Sequence, residues 1–166
     1  RGYACTQDEM GNVIIIAEAT PGYEDVPAVI IQGHLDMVGD KAEGCDIDME
    51  KEGPRIYIDG DFIRADGTTL GGDNGIAVAY ALALLDAEKG SIPHPRMEVV
   101  LTVCEEVGLL GASAMDFYPC RARRMINIDS EVEGILTAGC AGGRRARCHI
   151  PVKRTPCSGL RCKLEL

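Results

Sequence analysis

Six residues of this 166-residue chain have the types and the setting to do chemistry together: His34, Asp36, Asp73, Glu105, Glu106 and Asp129. His34 and Asp36 follow the apolar run Ala28-Val29-Ile30-Ile31-Gln32-Gly33, Glu105 and Glu106 follow Met97 to Cys104, and Asp129 follows Met125-Ile126-Asn127-Ile128. Asp73 lies in a glycine-laced stretch, Gly67-Thr68-Thr69-Leu70-Gly71-Gly72-Asp73-Asn74-Gly75. Ligands of open α/β sheets bind outside the carboxyl ends of the strands, so groups that each follow a strand or a glycine loop can meet at one sheet edge. Carboxylates brought together repel unless a cation sits among them. One imidazole with several carboxylates suits divalent zinc, or manganese and cobalt as substitutes. A carboxylate can also bridge two metals, which makes two-metal hydrolysis the natural chemistry. Singly, each residue has an ordinary structural reading. His34 is a satisfied histidine at a strand end, Asp36 a turn former, Asp73 a helix N-cap, Glu105-Glu106 solvated charges and Asp129 a cap. The set as a whole points to metal.

The elements that must position these groups follow from the pattern of apolar residues. The β-branched runs at 12–17 and 28–33 predict buried strands, the first after the turn signal Met10-Gly11-Asn12. Residues 39–54 are polar and acidic and read as a surface loop. Residues 55–65 read as a hairpin with Asp59-Gly60 as its two-residue turn. The segment 76–85 is apolar nearly all round and predicts a buried helix, with Gly90 as its C-cap. His94, between two prolines, reads as a solvent-facing loop residue. Residues 96–104 predict a buried strand, 107–112 the start of a short helix, and 124–128 a short strand. Runs at 134–139, 144–152 and 161–166 predict three more strands. Strands alternating with helices, then a run of strands, give an α/β domain with a mixed sheet flanked by helices.

Composition bounds the rest. Lys and Arg number 17 against 26 Asp and Glu, a net charge of −9 that argues against a general nucleic-acid binder. No apolar run is long enough to span a bilayer, and no signal-peptide pattern opens the chain, so no membrane partner is expected. The eight cysteines include no C-x-x-C pair, and several lie in apolar runs as small hydrophobes. This usage fits a reducing cytoplasm rather than a disulfide framework. The chain begins at Arg1 and ends at Leu166 within a strand-like run, so both ends read as truncated.

Five motifs carry a resemblance. Gly-His-Leu-Asp-Met-Val at 33–38, Gly-Thr-Thr-Leu-Gly-Gly-Asp-Asn-Gly-Ile at 67–76, Glu-Glu-Val-Gly-Leu-Leu-Gly-Ala at 105–112, Ile-Asn-Ile-Asp-Ser-Glu at 126–131 and Gly-Cys-Ala-Gly-Gly at 139–143 resemble, in family order, the M20 metallopeptidases. The match is to the aminoacyl-histidine (X-His, carnosinase-like) dipeptidase branch. The resemblance implies a zinc-exopeptidase-like α/β catalytic domain with two zinc ions per site and a small dipeptide as substrate. It implies that His34 and Asp129 hold one zinc, Glu106 the other, and Asp73 bridges them, often with a cis peptide after it. Asp36 would orient His34, a support that metal-bound imidazoles normally have. Glu105 would be the general base, moving a proton from the attacking water to the leaving amine. Relatives are often homodimers through an inserted lid domain.

Two family features have no counterpart here. The second zinc's further histidine ligand has no match, since the other histidines, His94 and His149, lie outside that motif. The Gly-Gly-His-Ser-Gly lid signature is also absent. Residues 1–166 are therefore expected to be part of a catalytic domain, without its lid and C-terminal segments. The alternatives are another M20-type aminopeptidase or amide hydrolase, or a metal-binding module without turnover. A phosphate cradle at 70–75 lacks G-x-G-x-x-G spacing and a Walker lysine. The basic patch at 142–147 is short and without aromatic interleaving.

Overall fold

A computed structural model of the chain describes residues 1–88, 90–130, 132–139, 142–143, 146–153 and 159. They fall into two units, Arg1–Glu133 and Gly134–Leu166. The first contains strands β1 (Ala4–Gln7), β2 (Val13–Ala17), β3 (Val29–His34), β4 (Ile56–Asp59), β5 (Phe62–Ala65), β6 (Met97–Thr102) and β7 (Met125–Asn127), with helices α1 (Gly72–Asp86) and α2 (Leu110–Ala114). Five strands form one sheet in the order β1-β2-β6-β3-β7, and β4 and β5 pair as a separate hairpin. The sheet is mixed. β3 runs parallel to both β6 and β7, whereas β2 is antiparallel to β6 and to β1.

Alternation along the strands sorts side chains onto two apolar faces. Ile31, Met97, Val99 and Leu101 lie on one face, where Ala81 and Leu85 of α1 cover them. Ile14, Ile16 and Val100 lie on the other, packed with Ile30, Met115 and Cys120. β6, with a neighbour on each edge and cover on both faces, is buried at all six residues. That is why its sequence reads as a continuous Val-Val-Leu run rather than an alternating one.

The helix departs from its expected burial. Asn74, Ala77, Ala81 and Leu85 are buried, whereas Ile76, Tyr80 and Leu82 are each about half exposed. An apolar composition all round does not say which face has a partner, and among the described residues α1 packs on the side of Ala77, Ala81 and Leu85. That side approaches β3 closely. A Cβ on Gly33 would stand 2.5 Å from Asn74 Oδ1 and 2.6 Å from the Ala77 Cβ, so glycine is required there. The helix ends at Ala87, whose N–H donates to the Ala83 carbonyl, and Gly90 lies beyond it. At the other end Gly71 is the N-cap, which removes the capping reading of Asp73.

Three further expectations are corrected. The hairpin pairs Asp59 with Phe62, so its turn is Gly60-Asp61, with Gly60 at φ 59°. Ile58 stands opposite Ile63 in that register. His94 is half buried and its Nδ1–H donates to the Pro95 carbonyl at 2.8 Å. In the second unit, residues 134–139 and the described part of 144–152 form no strand, and 161–166 lies outside the described residues. So do Glu131, Cys140, Ala141, Arg144 and Arg145, within motifs quoted above.

Candidate metal centre

Three parallel strands, β6, β3 and β7, end at the same edge, and each delivers part of the site. His34 is the last residue of β3, paired with Thr102 at the end of β6. Glu105 and Glu106 follow β6, and Asp129 follows β7. Beneath them a rung of side chains ties the strand ends together. Asn127 donates to Gln32 Oε1, and Gln32 Nε2 donates to Thr102 Oγ1 at 3.3 Å. The fourth contribution, Asp73, comes from the irregular first turn of α1. Asp73 and Asn74 have non-helical backbone angles, and the peptide between them is cis, as the resemblance implied.

All six predicted residues meet here. His34 is 2% exposed. Its Nδ1–H donates to the backbone carbonyl of Asp36 at 2.8 Å, which leaves Nε2 facing the carboxylates. Nε2 lies 2.9 Å from Asp73 Oδ1 and 3.7 Å from Asp129 Oδ1. Donor atoms of His34, Asp73 and Glu106 all lie within 4.8 Å of one another, a crowding of imidazole and carboxylates that suits metal coordination. Asp73 and Asp129 also border a cleft of about 240 Å³, with Asn74, Ile76, Ile128 and Ser130.

The carboxylate of Asp36 is placed differently from the expected orienting role. It sits 3.6 Å from His34 Nδ1, and the Asp36 backbone carbonyl takes the imidazole's hydrogen bond instead. Its two oxygens accept the backbone N–H groups of Glu105 at 3.1 Å and Glu106 at 3.2 Å. Asp36 thus fixes the histidine with its main chain and the acidic pair with its side chain.

Two residues went unnoticed in the sequence. Asn74, 2% exposed, accepts from the His34 N–H at 3.2 Å and donates to the Ile128 carbonyl at 2.5 Å and to Asp129 Oδ1 at 3.1 Å. One amide thereby joins the ends of β3, β7 and α1. Its only sequence signal is an amide directly after the loop carboxylate. Asn12 is the other, at the foot of the loop that carries Glu105 and Glu106. That loop holds two non-glycine residues in the left-handed region, Cys104 at φ 55° and Leu109 at φ 60°. Such a conformation costs roughly 1–2 kcal/mol per residue.

The electrostatics follow from crowding. Burial opposes a charge on His34, but the Asp73 hydrogen bond, the Asp36 carbonyl and the Asp129 charge outweigh it and raise its pKa. Burial first, then the charges of Asp129, Glu106 and Asp36, push the Glu105 carboxyl up against the pull of His34. Asp129 is raised as well, by burial and then by Asp73, despite the opposing pull of His34. In Asp36 burial is outweighed by the Glu105 and Glu106 amides, and its pKa is lowered. Among the described residues no Lys or Arg pairs with these carboxylates, so histidine is the cationic partner the chain supplies. The donor set of one imidazole and several oxygens fits a hard or borderline divalent metal.

Known proteins are similar to this chain in sequence and fold. The chain is 43% identical over 143 residues to the cytosol non-specific dipeptidase of Escherichia coli, covering 86% of the chain and 29% of that protein. Its fold matches aminoacylhistidine dipeptidase from Vibrio alginolyticus with a TM-score of 0.75 at 42% identity, over 80% of the chain and 27% of that structure. A tripeptidase from Staphylococcus aureus matches with a TM-score of 0.64 at 25% identity, over 79% of the chain and 35% of that structure. No protein-family model matches. The mixed sheet and the glycine-loop helix match the catalytic-domain fold of M20-type peptidases, and the chain is similar to members of the M20/peptidase T family. By name these relatives are peptide-bond hydrolases, two dipeptidases and a tripeptidase. The chain spans less than a third of the length of the E. coli and Vibrio relatives.

Proposed function

We propose that the whole protein is a cytoplasmic dizinc dipeptidase acting on X-His dipeptides, with residues 1–166 forming part of its catalytic domain. The observation that carries this reading is the meeting of His34, Asp73 and Glu106 donor atoms within 4.8 Å at the carboxyl edge of the sheet. The similarity to a cytosol dipeptidase of E. coli, named as non-specific, supports the compartment and the dipeptide substrate, and the similarity to the Vibrio aminoacylhistidine dipeptidase supports the X-His preference. Among the described residues no helix is long and apolar enough to cross a membrane.

In this reading His34 and Asp129 would hold one zinc and Glu106 the other, and Asp73 would contribute to both. Zinc supplies a Lewis acid for the scissile carbonyl and acidifies water, and manganese or cobalt would do the same. The chain's own groups do the rest. The Asp36 carbonyl keeps the Nδ1–H tautomer of His34, so that Nε2 presents its lone pair. Glu105, partly buried and not assigned to a metal, takes a proton from the attacking water and passes it to the leaving amine nitrogen. The Asp36 carboxylate holds the Glu105 and Glu106 amides and thereby aims both side chains.

The test is an assay of the whole protein on X-His dipeptides, other dipeptides and tripeptides, with and without a chelator. Hydrolysis of X-His dipeptides that stops on chelation and returns with zinc is expected. Activity indifferent to chelation would remove the metallopeptidase reading. Equal rates on dipeptides without histidine would remove the X-His preference alone.

A further inference from the structure

We propose that Asn12, in the turn between β1 and β2, is a positioning residue for the loop that carries Glu105 and Glu106. The inference rests on the reading of that pair as general base and metal ligand. Asn12 is 1% exposed, although it occupies a turn. Asp8 fixes it there. Asp8 Oδ1 accepts from the backbone N–H of Gly11 at 2.9 Å and of Asn12 at 2.8 Å, and Asp8 Oδ2 accepts from Asn12 Nδ2 at 2.7 Å.

The remaining capacity of the Asn12 amide goes to residues distant in sequence. Oδ1 accepts from the Val103 N–H at 3.0 Å, and Nδ2 donates to the Gly111 carbonyl at 3.0 Å. Val103 and Gly111 are the two sides of a neck, joined by the Gly111 N–H donating to the Val103 carbonyl at 3.1 Å. The neck is too narrow for any side chain. A Cβ on Gly111 would lie 2.0 Å from the Val103 oxygen and 2.6 Å from Asn12 Oδ1.

Everything between the two sides of the neck is the acidic loop. It includes the left-handed residues Cys104 and Leu109 that flank Glu105 and Glu106. Strained backbone of this kind persists only where its surroundings over-determine it. Asp36 holds the tip through the two glutamate amides, and Asn12 holds the neck. Without the Asn12 amide, the Val103 N–H and the Gly111 carbonyl lose a buried partner, and the loop is held at one end only. Asn12 touches neither carboxylate. It acts on them through the neck.

Hydrogen exchange of the metal-free chain tests this for Asn12→Ala, Gly111→Ala and Asp8→Ala. Asn12→Ala and Gly111→Ala are expected to speed exchange at the Glu105, Glu106 and Leu110 amides on the order of tenfold, while the amides of β3 and β6 keep their protection. Asp8→Ala should loosen Gly11 and Asn12 and speed exchange in the acidic loop by much less than Asn12→Ala does, because both Asn12 bonds to the neck remain. A change confined to residues 8–12 in Asn12→Ala would overturn the proposal, as would an equal loss across β3, β6 and the loop. A loss at the loop in Asp8→Ala as large as in Asn12→Ala would also overturn it, because the turn itself would then be the support. In the whole protein Asn12→Ala should lower kcat with KM nearly unchanged. Exchange is read without metal or substrate, so failure of the dipeptidase reading would appear in the assay alone.

Discussion

Glu105 and Glu106 are neighbours in sequence with different surroundings. Glu105 is partly buried, and burial together with the charges of Asp129, Glu106 and Asp36 raises its pKa. Glu106 is exposed, and its carboxylate joins His34 and Asp73. A partly buried carboxyl outside the His34–Asp73 donor group suits proton transfer, whereas an exposed oxygen beside an imidazole suits coordination. Glu105→Gln in the whole protein should therefore lose turnover by about 10²–10⁴-fold and keep its metal. Asp73→Asn should lose metal, because Asp73 is the oxygen nearest to His34 Nε2. Metal content measured beside kcat separates the two variants. If Glu105→Gln lost metal as readily as Asp73→Asn, the roles assigned to the acidic pair would be wrong.

At the level of elements, the fully buried Glu98 of β6 couples the sheet to the connection that leads into β7 and so to Asp129. Its carboxylate accepts from Arg96 Nε at 2.8 Å and from the backbone N–H groups of Arg121 at 2.8 Å and Ala122 at 3.0 Å. Burial disfavours its charge, but Arg96 and the two amides outweigh that, and the pKa is lowered. A lowered folded-state pKa gives stability that is present above the unfolded value, about 4.3, and is lost as pH falls through the folded value. Glu98→Gln should cost roughly 3 kcal/mol at neutral pH and flatten the acid limb of the stability curve. Urea melts of both proteins from pH 7 to pH 3 measure this. Parallel curves would show that Glu98 contributes nothing through its charge. Beside it, burial and the Glu98 charge push the Cys120 thiol up to about 11.

How much of this the sequence discloses depends on whether an element's partners lie in its own pattern. The strands β2, β3, β6 and β7 were legible because each is an apolar or β-branched run, and the donors were legible because each stands where such a run stops. β1 was not. Ala4-Cys5-Thr6-Gln7 is exposed at all four residues and is a strand only because β2 pairs with it. The burial of α1 was over-read, since composition cannot tell an apolar face with a partner from one without. Asn12 and Asn74 were missed because an asparagine in a turn or glycine loop usually serves its own backbone. Their bonds to Val103, Gly111 and Ile128 span 91, 99 and 54 residues, beyond any local signal.

For the molecule as a whole, the question is how much metal this chain can hold. In the proposed assignment one zinc has His34, Asp73 and Asp129, whereas the other has only Asp73 and Glu106. Two oxygens are too few for a firm tetrahedral site. His94 cannot complete it from this unit. It precedes β6, whose six residues at about 3.3 Å each separate it by roughly 20 Å from the edge where the donors meet. Its ring is already bonded to the Pro95 carbonyl. The 166-residue chain, with a net charge of 17 − 26 = −9, should therefore bind at most one zinc, weakly, and leave dipeptides uncleaved. Calorimetric titration with zinc, run beside a dipeptide assay, measures both. Two tightly bound zincs per chain, or efficient turnover, would show that the second site is completed by groups outside this donor set.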